Sequence, residues 1–226
     1  MMELSENTLN ILRNFSGINQ NMLIKQGSAI KTISEARNVV AKADVAEEFS
    51  KDFGIYDLNE FIGVMSLVDN PSLKFENDYV IVSDSTGRSN VKYFYAAEET
   101  LTAPSKDVNM PEPDVKFTLD NDTLNRLKKA ASTLGHNELS IKAKDGVLSL
   151  SILENQNSTS NTFSIDIDGE FKEDAVFNFV INISNIKILP GDYDVEISSK
   201  LITQFKHKGL NVVYWIALEK SSTYGA

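Results

Sequence analysis

Glu6–Phe15 reads ENTLNILRNF, and Asn121–Ala130 reads NDTLNRLKKA. Both carry Thr-Leu-Asn, one free position, Leu and then a basic residue, set 115 positions apart in a chain of 226 residues. The flanking residues extend the match. Ser5 is a good N-cap for a first helix, with Leu9, Leu12 and Phe15 spaced to share one side. Asp120 takes the cap position of the second copy, and Leu124, Leu127, Ala131 and Leu134 form its apolar stripe. Leu4 and Leu119 precede the caps, where a hydrophobic staple belongs. A turn and a β-prone run follow each helix: MLIKQG from Met22 and ELSIKAKDG from Glu138.

A second correspondence lies further along each half. Asp57–Met65, DLNEFIGVM, follows the apolar run Phe53–Tyr56 and puts Leu58, Phe61, Ile62 and Met65 on one helical face. In the other half, the strand FNFVI (Phe177–Ile181) runs into NISNIKIL, a shorter expected helix that Pro190-Gly191 would stop. Alternating runs follow both, YVIVSD at Tyr79 and YDVEIS at Tyr193. Helix, strands, helix, strands, written twice, predicts a duplicated α+β unit. Between the copies, Ala97–Val115 holds three of the five prolines and has no apolar period, so it is a linker, either a passive tether or a functional loop.

Composition narrows the chemistry. There is no cysteine, hence no disulfide, thiolate metal site or thiol nucleophile. No apolar run approaches the roughly 20 residues that span a bilayer, and MMELSENTLN lacks the basic-then-apolar order of a signal peptide. The expectation is a soluble intracellular protein. His136 and His207 are the only histidines, and neither has a partner at metal-ligand spacing. No phosphate-cradling glycine motif occurs. Asp166–Glu170 (DIDGE) lacks the spacing of a calcium loop and reads as a hairpin turn. Trp215, inside VVYWIAL, reads as packed core or an interface residue. No catalytic constellation, metal site or cofactor is expected.

The net charge of −10 argues, as a bulk quantity, against nucleic acid. Its distribution argues otherwise. With the leucine stripe of the second helix turned inward, Arg126 and Lys129 point outward and Lys128 lies on a flank. The first helix turns Asn7, Asn10 and Asn14 outward, with Arg13 on its flank. NISNIKIL adds Lys187. Acids collect elsewhere, at Glu47-Glu48, Glu98-Glu99 and Glu112–Asp114.

Four segments carry a resemblance to a known family: LSENTLNILRNFSGIN from Leu4, FGIYDLNEFIGVMSLV from Phe53, FNFVINISNIKILPGDY from Phe177 and VVYWIALE from Val212. Their order and spacing resemble the sliding clamps, or DNA polymerase processivity factors, of T-even-type bacteriophages, over essentially the whole chain. Residues 103–113 depart from that pattern in being less proline-rich. The resemblance implies an α+β fold of two duplicated clamp domains, each with two helices packed on antiparallel sheets. It places them at residues 1–102 and 115–226, joined by a connector at 103–114, with three chains closing a six-domain ring. It implies double-stranded DNA held without sequence preference, the C-terminal peptide of the replicative polymerase, an ATP-dependent clamp loader and a contribution to late transcription, in the cytoplasm of the infected bacterial host.

On this resemblance the DNA-facing charges are Arg13, Arg126, Lys128, Lys129 and Lys187, with Lys25 and Lys142 as weaker candidates. The second domain is then expected to hold more of the DNA. Partner peptides would meet Leu67, Met110, Pro190, Ile216 and Leu218. Subunits would join through free strand edges at Tyr93, Phe94 and Tyr95 and at Phe163 and Ile165. A competing expectation is a structural or adhesion component of a virion, since duplicated β-rich domains also build such assemblies. An outward basic helical face has no use there.

Overall fold

The structure, a computed structural model, describes residues 1–144, 146–154, 157 and 159–225. The chain divides into two units, Met1–Asp107 and Val108–Ala226.

The first unit begins with α1 (Glu6–Ser16), capped by Ser5, whose hydroxyl accepts from the Thr8 amide. Strands β1 (Met22–Ile24), β2 (Gly27–Ile33), β3 (Val39–Phe49) and β4 (Phe53–Ile55) lead to α2 (Leu58–Met65), and β5 (Ser72–Phe75), β6 (Tyr79–Ser83) and β7 (Asn90–Phe94) follow. The pairings β1–β4 and β2–β3, and the β5-β6-β7 meander, are all antiparallel. Strand β3 alternates, sending Val39, Ala41, Ala43, Glu47 and Phe49 inward. Asp57 caps α2 by accepting from the amides of Asn59 and Glu60, and Leu58, Phe61 and Met65 are its buried side. Ile62, expected on that side, is half-buried.

The buried side of α1 is Thr8, Ile11, Leu12 and Phe15, so the helix is rotated from its expected setting and Leu9 is only half-buried. The cause is Glu47. This carboxylate points inward from β3 and accepts from the Ser5 amide and the Thr8 hydroxyl, each at 2.5 Å. Burying Thr8 is favourable because the strand supplies a charged acceptor.

The second unit contains β8 (Val115–Leu119), α3 (Asn121–Leu134), β9 (Glu138–Lys144), β10 (Val147–Leu153), β11 (Phe163–Ile167), β12 (Glu170–Phe171), β13 (Val176–Asn182), β14 (Tyr193–Ser198), β15 (Ile202–His207), β16 (Val212–Ala217) and β17 (Thr223–Gly225). Its antiparallel pairings run in the orders β11-β10-β9-β13-β17 and β12-β8-β14-β15-β16. Asp120 caps α3 by accepting from the Thr123 amide, and Gly135 ends it with φ 70°, the left-handed setting that glycine adopts freely. Leu124, Leu127 and Ala131 are buried beneath α3, while Leu134 is half-buried.

Two expectations fail here. NISNIKIL is not a helix; it holds only a 3₁₀ turn at Ile183–Asn185. The Asn182 side chain accepts from the Ser184 amide, and Ile186 then takes ψ 64°, outside the helical range. Ile186 and Ile188 are both buried with Lys187 exposed between them, an extended alternation. The backbone of Leu189 is taken up by two buried tyrosines: the Tyr193 hydroxyl donates to its carbonyl at 2.6 Å, and its amide donates to the Tyr214 hydroxyl at 3.3 Å. Among the described residues the second unit therefore has one α-helix where two were expected. Asp166–Glu170 is not a hairpin either. Its two ends belong to different pairings, β11 with β10 and β12 with β8, so the segment carries the chain from one sheet to the other.

Candidate nucleic-acid interface

The exposed faces of α1 and α3 differ in charge. On α1, one acid (Glu6) stands against one base (Arg13). On α3, Asp122 stands against Arg126, Lys128 and Lys129, leaving an excess of two positive charges on a chain whose total is −10.

The side chains grade further. Arg13 is turned along its own helix, donating to Glu6 Oε1 at 3.2 Å and to Asn10 Oδ1 at 2.8 Å, so its charge is locally compensated. Arg126 and Lys129 are exposed. Neither has a carboxylate partner among the described residues. The Arg126 guanidinium lies over the Phe163 ring of β11, 5.9 Å from its centroid, which restrains a side chain that would otherwise sweep freely. Lys128 is half-buried, and loss of solvent pushes its ammonium pKa down. It lines an open groove with Ser132, His136, Asn137 and Ile186. Lys187 is exposed beside the 3₁₀ turn.

The weaker candidates lie outside the helices. Lys25 is bridged to Asp52 at 3.0 Å and Glu98 at 3.3 Å. Lys142 is half-buried on β9, in register with Asn178 and Ser149.

Among the residues expected to meet partner peptides, Leu67 is 71% exposed just beyond α2, whereas Ile216 is fully buried and Leu218 nearly so. Both alternate inward at β16, and neither is open to an incoming side chain. Met110 is half-buried and Pro190 exposed. Of the residues expected between subunits, Tyr93 points into its own unit. It packs on Phe61 with centroids 5.2 Å apart, and its hydroxyl donates to the Asp57 carbonyl at 3.2 Å. Tyr95 packs on Phe53 at 5.4 Å, and burial pushes its phenol pKa up to about 12. Phe94 is 66% exposed. Phe163 and Ile165 are half-buried along β11. Strands β7 and β11 each stand at the end of their sheet's order, with one flank unpaired among the described residues. Trp215 is half-buried and donates through Nε1 to Gln204 Oε1 at 2.9 Å.

Glu47 was missed by sequence reasoning, which placed it in a solvated acidic cluster. The signal was the alternation of β3, which turns every odd residue from Val39 to Phe49 except Val45 fully inward. At the N-terminus of α3, Asp192 accepts from the Asn121 amide at 2.9 Å, and Gly191 donates to the Asn121 side chain at 2.9 Å. Each basic or neutral helix is thus held at its positive end by a carboxylate from a distant segment. Among the described residues no group of three or more acidic, histidine or cysteine side chains is placed to hold a metal, and no helix is long and apolar enough to cross a membrane.

Comparison with known proteins identifies the family. Residues 5–100 match the family described as DNA polymerase processivity factor, and residues 116–220 match the gp45 sliding clamp, C terminal, family. The chain is 34% identical to the Sliding clamp of Vibrio phage KVP40 over 96% of this chain and 99% of that one. It is 32% identical to the Sliding clamp of Escherichia phage RB69, and 28% identical to that of Enterobacteria phage T4, each over 99% of both chains. In fold it is similar to the Proliferating Cellular Nuclear Antigen of Entamoeba histolytica, with TM-score 0.65, 13% identity and 94% of both chains covered. It is likewise similar to a chain of the PCNA2–PCNA3 complex of Sulfolobus tokodaii, with TM-score 0.64, 16% identity and coverage of 94% and 95%. The chain belongs to the sliding-clamp family of DNA polymerase processivity factors found in T4-like phages.

Proposed function

We propose that three copies of this chain close into a ring of six domains around double-stranded DNA, with the faces of α1 and α3 turned toward the duplex. The observation that carries this reading is the charge of α3: an excess of two positive charges on one helix of a protein with net charge −10, two of its cations, Arg126 and Lys129, being exposed. A closed ring cannot leave DNA sideways, so tight contacts are unnecessary and would impede sliding. A weak attraction to phosphates, with no base readout, is sufficient. Three copies at −10 sum to −30, yet screening over about 8 Å at physiological salt leaves lysine and arginine near the duplex to act locally. Because α3 carries more free charge than α1, the second unit holds more of the DNA.

Edge strands β7 and β11 are suited to join subunits by strand addition, with Phe94, Phe163 and Ile165 facing the joint. The ring tethers the replicative polymerase through that enzyme's C-terminal peptide, is opened by a separate ATP-driven loader, and serves late transcription in the cytoplasm of the infected host. No step of this work is a reaction at the clamp itself. Mass measurement in solution tests the assembly. A species of three times 25.1 kDa is expected, and a monomer at all concentrations would overturn the ring.

A further inference from the structure

Lys31 on β2 and Lys42 on β3 are direct cross-strand partners. They share a face with Ala29 and Asp44, because Ile30 and Ala43 between them point inward. Like charges placed opposite each other destabilise a strand pair unless anions intervene. One anion is Asp44, 3.8 Å from Lys42. The other is Asp107, whose Oδ1 lies 2.5 Å from Lys31 Nζ and whose carboxylate also feels the charge of Lys42. With Asp107 removed, two lysines would face one aspartate.

Asp107 lies in the segment after Thr102, where the chain forms neither helix nor strand until Val115. Thr102 itself is held by the side chains of Asn19 and Asn21, and Asp114 donates its amide to the Ile197 carbonyl. Between these anchors, Asp107 is tied to the sheet by an exposed ion pair. Next to Lys31, a cavity of about 210 Å³ opens between this segment and the strands, lined by Leu23, Lys25, Ala29, Ala103 and Pro104. That is room for an apolar side chain, since a cavity of about 150 Å³ can hold a benzene.

We propose that Lys31, with Lys42 beside it, is a carboxylate socket filled from within the chain by Asp107. A partner peptide occupies it by exchanging its own carboxylate for that of Asp107 and placing an apolar side chain in the adjoining cavity. The proposal rests on the clamp reading, in which the replicative polymerase is tethered through its C-terminal peptide. Polyanionic nucleic acid does not fit the same face, because Asp44, Asp52 and Glu98 surround it. Exposed ion pairs are weak, so the exchange costs little. An attached competitor nevertheless acts at an effective concentration in the millimolar range, so Asp107 sets a threshold that a partner must exceed. The connector thereby acts as a built-in inhibitor of docking.

The test is loader-dependent synthesis on primed circular DNA, with the phage's own polymerase titrated against wild-type, D107N, K31Q, K31R and D107N/K31Q clamps. D107N should lower the polymerase concentration giving half-maximal processive synthesis by about two- to fivefold, the range expected for an exposed pair. K31Q should raise that concentration, K31R should stay near wild type, and D107N should bring no gain in the K31Q background. A D107N clamp no better than wild type, or a gain that persists with K31Q, would overturn the socket. Absence of stimulation by the wild-type clamp would instead overturn the clamp reading beneath it. Equal thermal midpoints across the set exclude a general loss of folding as the cause.

Discussion

Replacing Arg126 and Lys129 by glutamine removes the two exposed cations of α3 that have no carboxylate partner among the described residues. In a ring of three subunits that is six charges, two from each copy. Each phosphate neutralised on B-DNA contributes about 0.9 to the slope of log affinity against log salt. If the duplex touches the pair of only one subunit at a time, the slope should flatten by about 1.8; if it touches all three pairs, by about 5.4. Even the smaller change is about a twelvefold difference in salt sensitivity between 50 and 200 mM. The assay is fluorescence anisotropy of a short linear duplex titrated across that range, where binding needs no loader.

Lys128→Gln should move the slope far less, because that ammonium is half-buried and its charged form is disfavoured. Arg13→Gln should also do little, because Glu6 already compensates Arg13. A double variant that keeps the trimer mass and the wild-type slope would refute the assignment. So would a Lys128 variant as damaging as Lys129→Gln.

Three further outcomes test the packing. Glu47→Gln should destabilise the first unit by about 1.5–3 kcal/mol, the range for a hydrogen bond to a charged group. Burial raises the Glu47 carboxyl, but the bonds from Ser5 and Thr8 more than reverse this and hold it below its ordinary 4.5. A carboxyl lowered on folding stabilises above its unfolded value and loses that contribution as pH falls through the folded one. The gap in thermal midpoint between wild type and Glu47→Gln should therefore be full at pH 7 and close below pH 4.5; a gap that widens on acidification would contradict this. Gly54→Ala would drive a Cβ into the Ala96 carbonyl oxygen and set it 2.7 Å from Leu101, costing about 1–3 kcal/mol in urea unfolding. The Ala96 amide donates to the Gly54 carbonyl at 3.0 Å, and an unchanged midpoint would show that this close approach is not kept. Leu127→Ala, at a fully buried position, should cost about 2–5 kcal/mol, and Leu9→Ala clearly less. Equal costs would argue against the rotated setting of α1.

What could be read directly in the sequence was local. Ser5 and Asp120 announce their helices because a cap and its amides lie within three residues. The alternation of YVIVS, YDVEIS and VVYWIA is likewise written in adjacent positions. What escaped depends on distant partners. Thr8 is buried in preference to Leu9 because of Glu47, 39 positions away. The Asn182–Leu189 segment has apolar residues at helix-compatible spacing, but Tyr193 and Tyr214 claim the Leu189 backbone. Asp166–Glu170 resembles a hairpin until the pairings of β11 and β12 separate its ends. At the site, the wheel of α3 correctly turned Arg126 and Lys129 outward. It could not show that Lys128, on the flank, loses solvent, or that Arg13 is spent on Glu6. Ile216 and Leu218 looked available because hydrophobicity alone does not reveal which face of β16 is covered.

The central claim is topological, and one measurement addresses it. The clamp is loaded by its ATP-driven loader onto nicked circular DNA, the DNA is isolated from free protein, and retained clamp is counted before and after a single cut linearises the circle. A sliding ring predicts stable retention on the circle and rapid loss once ends are present, with blocked ends restoring retention. Equal retention on circular and linear DNA would contradict the account, because it would mean that the chain binds by contact and not by encirclement.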